Sequence, residues 1–201
     1  LVTPAIADIF PGTLMALGVV SAMHSAQRSG KGQFLDVGMY DAMMAFQKSA
    51  VAQYGFTGKP NPAGLQRAMT LYPFDLFPTQ DGRIAIAVGQ PRHWDLLCAA
   101  MERADLMEDE RSFSNEARLA NVDWVEAQIC AWTQTQTRAE IMAKLDGAIP
   151  IGPVQTMADI YADPHVQARG MLETCSPAGD NPDIALAASP IKFSVTPTTL
   201  Y

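Results

Sequence analysis

Apolar and polar residues follow different periods along the first quarter of the chain, and each period predicts its own element. Pro11–Ser29 places apolar and small residues at helical spacing with few polar ones, which predicts a mostly buried helix ending at Gly30. Phe34–Tyr40 is short and largely apolar, which predicts a strand in a covered sheet. Ala42–Tyr54 is rich in Ala and Met, so we expect a helix that begins at Asp41. Asp41 then lies at the carboxyl end of the strand, where open α/β sheets place ligands.

A second pattern follows Gly55–Gly64, whose glycines and prolines indicate a linker between domains. Leu71–Phe77 and Arg83–Val88 predict two strands, and Gln80-Asp81-Gly82 between them predicts a tight hairpin. Helices and helical turns are expected beyond the hairpin, and strand-like stretches alternate with loops after them. The predicted helical segments are Pro91–Met101, Asn121–Gln134, Thr137–Leu145 with a capping box of Thr137 and Glu140, Met157–Tyr161 and Pro164–Ala168. This part is predicted to be a small α+β domain.

Composition narrows the class of protein. The 201 residues are 48% hydrophobic and 17% charged, which is typical of a globular chain. We expect a soluble, cytoplasmic protein, because no apolar run reaches the roughly 18 residues of a membrane-spanning helix and the start lacks the charges of a signal peptide. A net charge of −7 disfavours nucleic acid as a partner. The three cysteines form no CxxC pair and the three histidines lack ligand spacing, so no disulfide framework or metal site is expected.

Asp41 is the residue whose position suggests chemistry. It stands alone between an apolar segment and a helix, outside any run of charges. It can be read as a helix N-cap, because Asp accepts hydrogen bonds from free amides there. A carboxylate held ionised by the start of a helix is also suited to act as a nucleophile, and the two interpretations are compatible.

Five patches, in order, resemble the class III coenzyme A transferases, the CaiB/BaiF family. The first patch runs from Arg28 to Ala42 and resembles "R-x-G-x-G-Q-x-[VL]-[DE]-V-x-M-x-D-A", with Asp41 at the family's nucleophilic carboxylate. The second, Thr79–Ala87, resembles the hairpin "T-x-D-G-x-I-x-I-A" and is followed by Trp94. The remaining three are Ile151-Gly152-Pro153-Val154, Ala162-Asp163-Pro164-His165 and Pro190-Ile191-Lys192-Phe193-Ser194.

The resemblance implies a fold and a domain plan. It implies an α/β protein in which residues 1–55 are part of a large Rossmann-like domain and residues 56–70 are a linker. Residues 71–168 would then be the small α+β domain, and 169–201 a segment returning towards the large domain. It also implies a homodimer of interlinked chains with no permanently bound cofactor. Because the chains of the family are about twice this length, an isolated 201-residue chain is expected to be inactive.

The resemblance also implies a chemistry for the candidate residues. Asp41 would attack the thioester of an acyl-CoA, and an aspartyl-CoA thioester would pass CoA to a carboxylic acid. Amides for the charged intermediates would come from the loop Val88-Gly89-Gln90-Pro91, with Gly89 and Gln90 as CoA-binding residues. The alternative is that this loop is a plain strand-to-helix connection. Lys31, with Arg28 nearby, would meet CoA phosphate, although solvated turns also carry such residues.

Two other functions stay open. An α-methylacyl-CoA racemase would use Asp41 as one of two acid/base groups, but such racemases resemble "V-G-A-I-E-P" where this chain has Gln90 and no glutamate. A non-catalytic, self-associating fragment would bind no CoA. Retention of CoA by the isolated chain would distinguish the fragment from the enzymes.

Overall fold

The computed structural model describes residues 5–60, 70–176 and 182–198. The chain divides into two compact units, Leu1–Leu65 and Gln66–Tyr201. Most of the predicted linker, residues 61–69, lies outside the described residues, and so do parts of the predicted return segment, residues 177–181 and 199–201. The domain boundaries proposed from the sequence stay a prediction.

The described part of the first unit is helical. Helix α1 spans Ile6–Ser29 and ends, as predicted, at Gly30, whose left-handed backbone (φ 71°) suits a residue without a Cβ. Helix α2 spans Met39–Phe46 and helix α3 spans Lys48–Thr57. Helices α1 and α2 contact each other, and their Phe10 and Phe46 rings meet edge to face with centroids 5.1 Å apart.

Two expectations for this unit are wrong. Residues 31–38 form no strand, and Phe34 is 91% exposed. A strand is stable only when a neighbouring strand pairs with its backbone, and the described part of the first unit holds no second strand. The expected single helix over Ala42–Tyr54 is also divided, because Gln47 leaves the helical conformation at φ −92° and ψ 24°.

Helix α1 is more exposed than its sequence predicts. Pro11 is its only buried residue, whereas Leu17, Val20 and Met23 are each more than half exposed. Within the first unit α2 covers only part of helix α1, so the rest of its apolar surface lacks the predicted burial. Helix α1 is also long and apolar enough to cross a membrane by length and composition, a criterion that core helices of soluble proteins meet as well.

The second unit is built around a three-stranded antiparallel sheet in the order β1-β2-β3. Strands β1 (Phe74–Thr79) and β2 (Gly82–Ala87) form the predicted hairpin, in which Thr79 pairs with Gly82. Strand β3 (Ile151–Pro153) pairs with β2 and was missed at the sequence level. On β2, Ile84 and Ile86 point inward and are at most 1% exposed, as the alternation in the sequence requires.

Helices pack against this sheet, and a separate hairpin follows them. The predicted helices are present, with bounds shifted by a residue or two. Two further elements were not predicted, the 3₁₀ turn Ala104–Met107 and the helix Asn115–Ala120. Their bounds are α4 Pro91–Ala100, a 3₁₀ turn Ala104–Met107, α5 Asn115–Ala120, α6 Val122–Thr133, α7 Arg138–Leu145, α8 Met157–Ala162 and α9 Pro164–Ala168, followed by the paired strands β4 Leu172–Cys175 and β5 Ile184–Ala187.

The core of the second unit joins the sheet to α4, α6 and α7. Its fully buried members include Phe77, Ile84, Ile86, Trp94, Leu97, Ile129, Ile141 and Leu145. The predicted capping box at the start of α7 is confirmed, because Thr137 accepts from the Glu140 amide while Glu140 accepts from the Thr137 amide at 2.7 Å. This core fixes the loop after β2, because both the end of β2 and the start of α4 are anchored in it.

Candidate functional site

Asp41 lies in the first turn of α2, as its third residue. The expectation that the helix begins at Asp41 is wrong, because Gly38 is the N-cap and Met39 the first helical residue. Gly38 has extended backbone angles (φ −68°, ψ 134°), and its carbonyl accepts the Ala42 amide at 3.0 Å. Asp41 is therefore a first-turn residue, where a negative charge interacts favourably with the helix dipole, and it is not an N-cap.

The carboxylate of Asp41 turns back towards the start of its helix. A Cβ built on Gly38 would lie 2.7 Å from Oδ2 of Asp41, which is closer than such atoms approach each other. The absence of a side chain at Gly38 thus leaves the space that the carboxylate occupies. Asp41 is exposed, whereas the adjacent Ala42 is buried, so the carboxylate stands at the surface of a fixed helix. An accessible anionic oxygen in this position can attack an electrophilic carbonyl carbon.

The two candidate phosphate contacts lie around the end of α1. Arg28 is in the last turn of the helix, and Lys31 follows its C-cap. Both side chains are exposed. The Lys31 backbone amide donates to Ser29 Oγ at 3.2 Å, which fixes the turn and leaves the ammonium group in solvent.

The candidate loop Val88–Pro91 connects β2 to α4. Val88 is buried and its amide donates to the Pro73 carbonyl at 2.7 Å, whereas Gly89 and Gln90 are exposed. The Gly89 amide donates to Nδ1 of His93 at 3.3 Å. Exposed glycine and extended backbone beside a helix start allow a ligand to approach the main chain closely.

A cavity of about 320 Å³ opens beside this loop within the second unit. Its walls include Gly89, Gln90, Trp94, Phe113 and Arg118. Arg118 is 4% exposed and stacks over the Trp94 ring at 4.8 Å from the centroid. Its Nε donates to the Tyr72 carbonyl at 2.6 Å and its Nη1 to the Ser112 carbonyl at 2.8 Å. Burial lowers the pKa of Arg118, and the guanidinium ties two chain segments together under the cavity.

Sequence reasoning missed Arg118 and His93. Arg118 looked like any helical arginine, and nothing local signals that its partners are 46 and 6 residues away. His93 did carry a local signal, because it follows Gly89 by four residues on the first turn of a helix that starts with Pro91. That spacing brings a ring nitrogen within reach of the preceding loop.

The four site residues proposed from the sequence are divided between the units. Asp41 and Lys31 belong to the first unit, while Gly89 and Gln90 belong to the second. The structure brings Gly89 and Gln90 together on one loop, at the edge of the cavity.

Comparison with known proteins gives the same family along the whole chain. The model of CoA-transferase family III matches residues 1–201. The succinyl-CoA:mesaconate CoA-transferase of Haloarcula hispanica is 37% identical over 195 residues, which cover 97% of this chain and 49% of that protein. The succinate–glutarate CoA-transferase of Agrobacterium fabrum is 32% identical over 195 residues, 96% of this chain and 48% of that protein. The chain thus spans about half the length of the relatives it matches.

Solved structures show the same relationship in the fold. A CaiB/BaiF family protein from Brucella suis superimposes with a TM-score of 0.75 at 30% identity, over 98% of this chain and 51% of that one. A protein from Mycobacterium tuberculosis has the same fold with a TM-score of 0.82 at 21% identity, over 99% of this chain and 52% of that one. The predicted mixture of helices and strands is confirmed by these matches. The chain belongs to CoA-transferase family III, the CaiB/BaiF family.

Proposed function

We propose that the protein is a CoA transferase that moves CoA from an acyl-CoA donor to a carboxylic acid acceptor. The observation that carries the proposal is the accessible carboxylate of Asp41 in the first turn of α2, in a chain that matches the transferase family throughout. The names of the relatives support it, since each is a CoA-transferase.

The proposed reaction passes through two anhydrides and one thioester on Asp41. The carboxylate attacks the acyl-CoA carbonyl and expels CoA thiolate, which leaves a mixed anhydride. The thiolate then attacks the aspartyl carbonyl, releases the donor as a free carboxylate and forms aspartyl-CoA. The acceptor carboxylate attacks this thioester to give a second anhydride, and the expelled thiolate attacks the acceptor's acyl carbon. The products are a new acyl-CoA and the original Asp41 carboxylate.

Attack by a carboxylate alternates with attack by CoA thiolate, and each step needs a donor for a developing oxyanion. Asp41 lies at the positive end of the α2 dipole, which attracts the negative charge of a carboxylate. We propose that the oxyanion donor is the loop of Gly89 and Gln90, both of which are exposed residues. Preorganised donors of this kind contribute about 10²- to 10³-fold to acyl transfer.

Coenzyme A is a substrate in this proposal, and no group is bound permanently. Lys31 is a candidate contact for CoA phosphate, because its ammonium group lies free at the surface of the turn after α1. We propose a short dicarboxylic acid as the acceptor, since the relatives are named for mesaconate and glutarate.

The experiment is an exchange assay with the protein expressed from its complete coding sequence. Succinyl-CoA is offered with mesaconate, glutarate or acetate, and new CoA thioesters are separated by liquid chromatography. We expect transfer to a dicarboxylate by the native protein and none by Asp41→Asn, because an amide cannot form the anhydride. Asp123→Asn is the matched control, since Asp123 is also an exposed first-turn aspartate, at the start of α6. No transfer by the native protein to any acid would refute the proposal.

A racemase would give a different result in the same preparation. It would exchange the α-proton of a 2-methylacyl-CoA with deuterium from solvent, whereas the transferase mechanism leaves that proton in place. The loop carries Gln90 and no glutamate, which supports the transferase.

We also propose that the protein is a cytoplasmic homodimer. The dimer is supported by the exposed apolar surface of α1, where Leu17 and Val20 are 64% and 65% exposed. Surfaces of this kind usually bind a partner. Light scattering after size exclusion should give the mass of two chains at micromolar concentration. A monomer mass would count against the dimer.

A further inference from the structure

A hydrogen bond joins the backbone of Gly89 to the ring of His93. The Gly89 amide donates, so Nδ1 of His93 accepts with a lone pair at 3.3 Å. Nδ1 is therefore the acceptor of this bond, and the ring fixes the direction of the Gly89 N–H. His93 is half-buried beside Trp94, which is 1% exposed, so the ring is held against the second unit's core.

A second bond from the same residue closes a clamp around Gln90. The backbone amide of His93 donates to the Gln90 carbonyl at 3.0 Å. His93 thus holds the residue before Gln90 through its ring and Gln90 itself through its backbone. Gln90 is extended (φ −142°, ψ 153°) and is the N-cap of α4. The side chain of one residue therefore restricts a glycine that would otherwise adopt many conformations.

This clamp decides which amide of the loop can bind a ligand. The Val88 amide is used by the Pro73 carbonyl, the Gly89 amide is used by His93, and Pro91 has no N–H. The Gln90 amide remains, and it has no acceptor among the residues that the structure describes. Gln90 is an exposed residue and lines the cavity.

We infer that His93 is a positioning residue, which directs the Gln90 amide as the loop's oxyanion donor by occupying the Gly89 amide. The inference rests on the proposed transferase function. Without the ring acceptor, the Gly89 amide loses its partner, so the peptide between Gly89 and Gln90 is less restricted and the direction of the Gln90 N–H is less fixed. A displacement of about 1 Å at such a donor can cost about 10²-fold in rate.

Three substitutions separate positioning from general structure. His93→Asn keeps an oxygen at the place of Nδ1, His93→Gln moves the oxygen to the place of Nε2, and His93→Leu removes the acceptor. We expect kcat to fall about 10- to 100-fold in the Gln and Leu variants, with KM for acyl-CoA changed less than about 3-fold. His93→Asn should stay within about 3-fold of the native kcat, as should the control His165→Asn on the exposed ring in α9. If His93→Leu fails to fold, the Asn and Gln pair carries the test.

Nuclear magnetic resonance gives a readout that does not depend on activity. The ¹⁵N shifts of the His93 ring should show the Nε2–H tautomer, and the Gly89 amide should exchange faster with solvent in the Gln and Leu variants than in the native and Asn proteins. Equal kcat in the native, Gln and Leu proteins, or an Asn variant as slow as Leu, would overturn the inference. An inactive native protein would instead refute the transferase proposal, and this inference with it.

Discussion

Arg118 offers the sharpest test of what holds the second unit together. It is a 4% exposed charge with no carboxylate bonded to it among the described residues, and its partners are the Tyr72 and Ser112 carbonyls. Each hydrogen bond from a charged group is worth about 1.5–3 kcal/mol, and a buried carbonyl left without a donor costs about 1–3 kcal/mol. Arg118→Ala should therefore lower the free energy of unfolding by about 3–5 kcal/mol.

The matched control is Arg103→Ala. Arg103 makes a salt bridge of 2.7 Å with Asp105, but the two side chains are 41% and 61% exposed. Such exposed pairs contribute about 0.2–1 kcal/mol, because water and salt screen the charges. Arg118→Ala should thus lower the free energy of unfolding several times more than Arg103→Ala.

The assay is urea unfolding followed by tryptophan fluorescence. All three tryptophans, Trp94, Trp124 and Trp132, lie in the second unit, so the signal reports on that unit alone. Arg118→Lys should recover part of the loss, since one ammonium can serve one of the two carbonyls. A loss below about 1.5 kcal/mol for Arg118→Ala, or one no larger than that of Arg103→Ala, would refute the reasoning.

Three further expectations concern the second unit. Burial raises the pKa of the Cys98 thiol to about 12, so iodoacetamide at neutral pH should label Cys175 in the native protein and Cys98 only in denaturant; native labelling of Cys98 would contradict this. Thr137→Ala should cost about 0.5–2 kcal/mol in urea unfolding and Thr137→Ser far less, because Ser keeps the cap; equal losses would contradict it. The Arg138 backbone amide, with its guanidinium, holds the pKa of Asp81 below 3.8. A carboxyl group whose pKa is lower in the folded protein stabilises the fold at pH values above its unfolded pKa, and this stabilisation is lost as the pH falls. The melting temperature of Asp81→Asn should therefore fall less steeply below about pH 4 than that of the native protein; parallel curves would contradict it.

Local signals predicted the elements that local interactions decide. Gly30 ends α1 because a left-handed C-cap favours glycine, and Thr137 with Glu140 starts α7 because the two side chains satisfy each other's amides. The turn at Gln80-Asp81, which joins β1 to β2, is likewise decided by the residues in the turn itself. Each of these signals lies within a few residues of the structure that it predicts.

Elements that depend on distant partners were not predicted correctly. Phe34–Tyr40 has the composition of a strand, but pairing requires a neighbour that the described first unit does not supply. Strand β3 exists because Ile151 pairs with Ile86, 65 positions earlier in the chain, and no local pattern encodes that. Asp41 was proposed from its isolation and its motif, whereas the role of Arg118 shows only in the fold, where its guanidinium donates to the Tyr72 carbonyl.

The chemistry proposed for Asp41 can be tested by trapping its covalent intermediate. The protein expressed from its complete coding sequence is incubated with succinyl-CoA and hydroxylamine, digested and examined by tandem mass spectrometry. Aspartyl-CoA reacts with hydroxylamine to give a hydroxamate and free CoA, so we expect a hydroxamate on Asp41 that requires acyl-CoA and is absent from Asp41→Asn. The Asn variant should remain folded, since loss of a first-turn charge costs less than about 1 kcal/mol. Turnover with no adduct on Asp41, or an adduct on another carboxylate alone, would contradict the assignment.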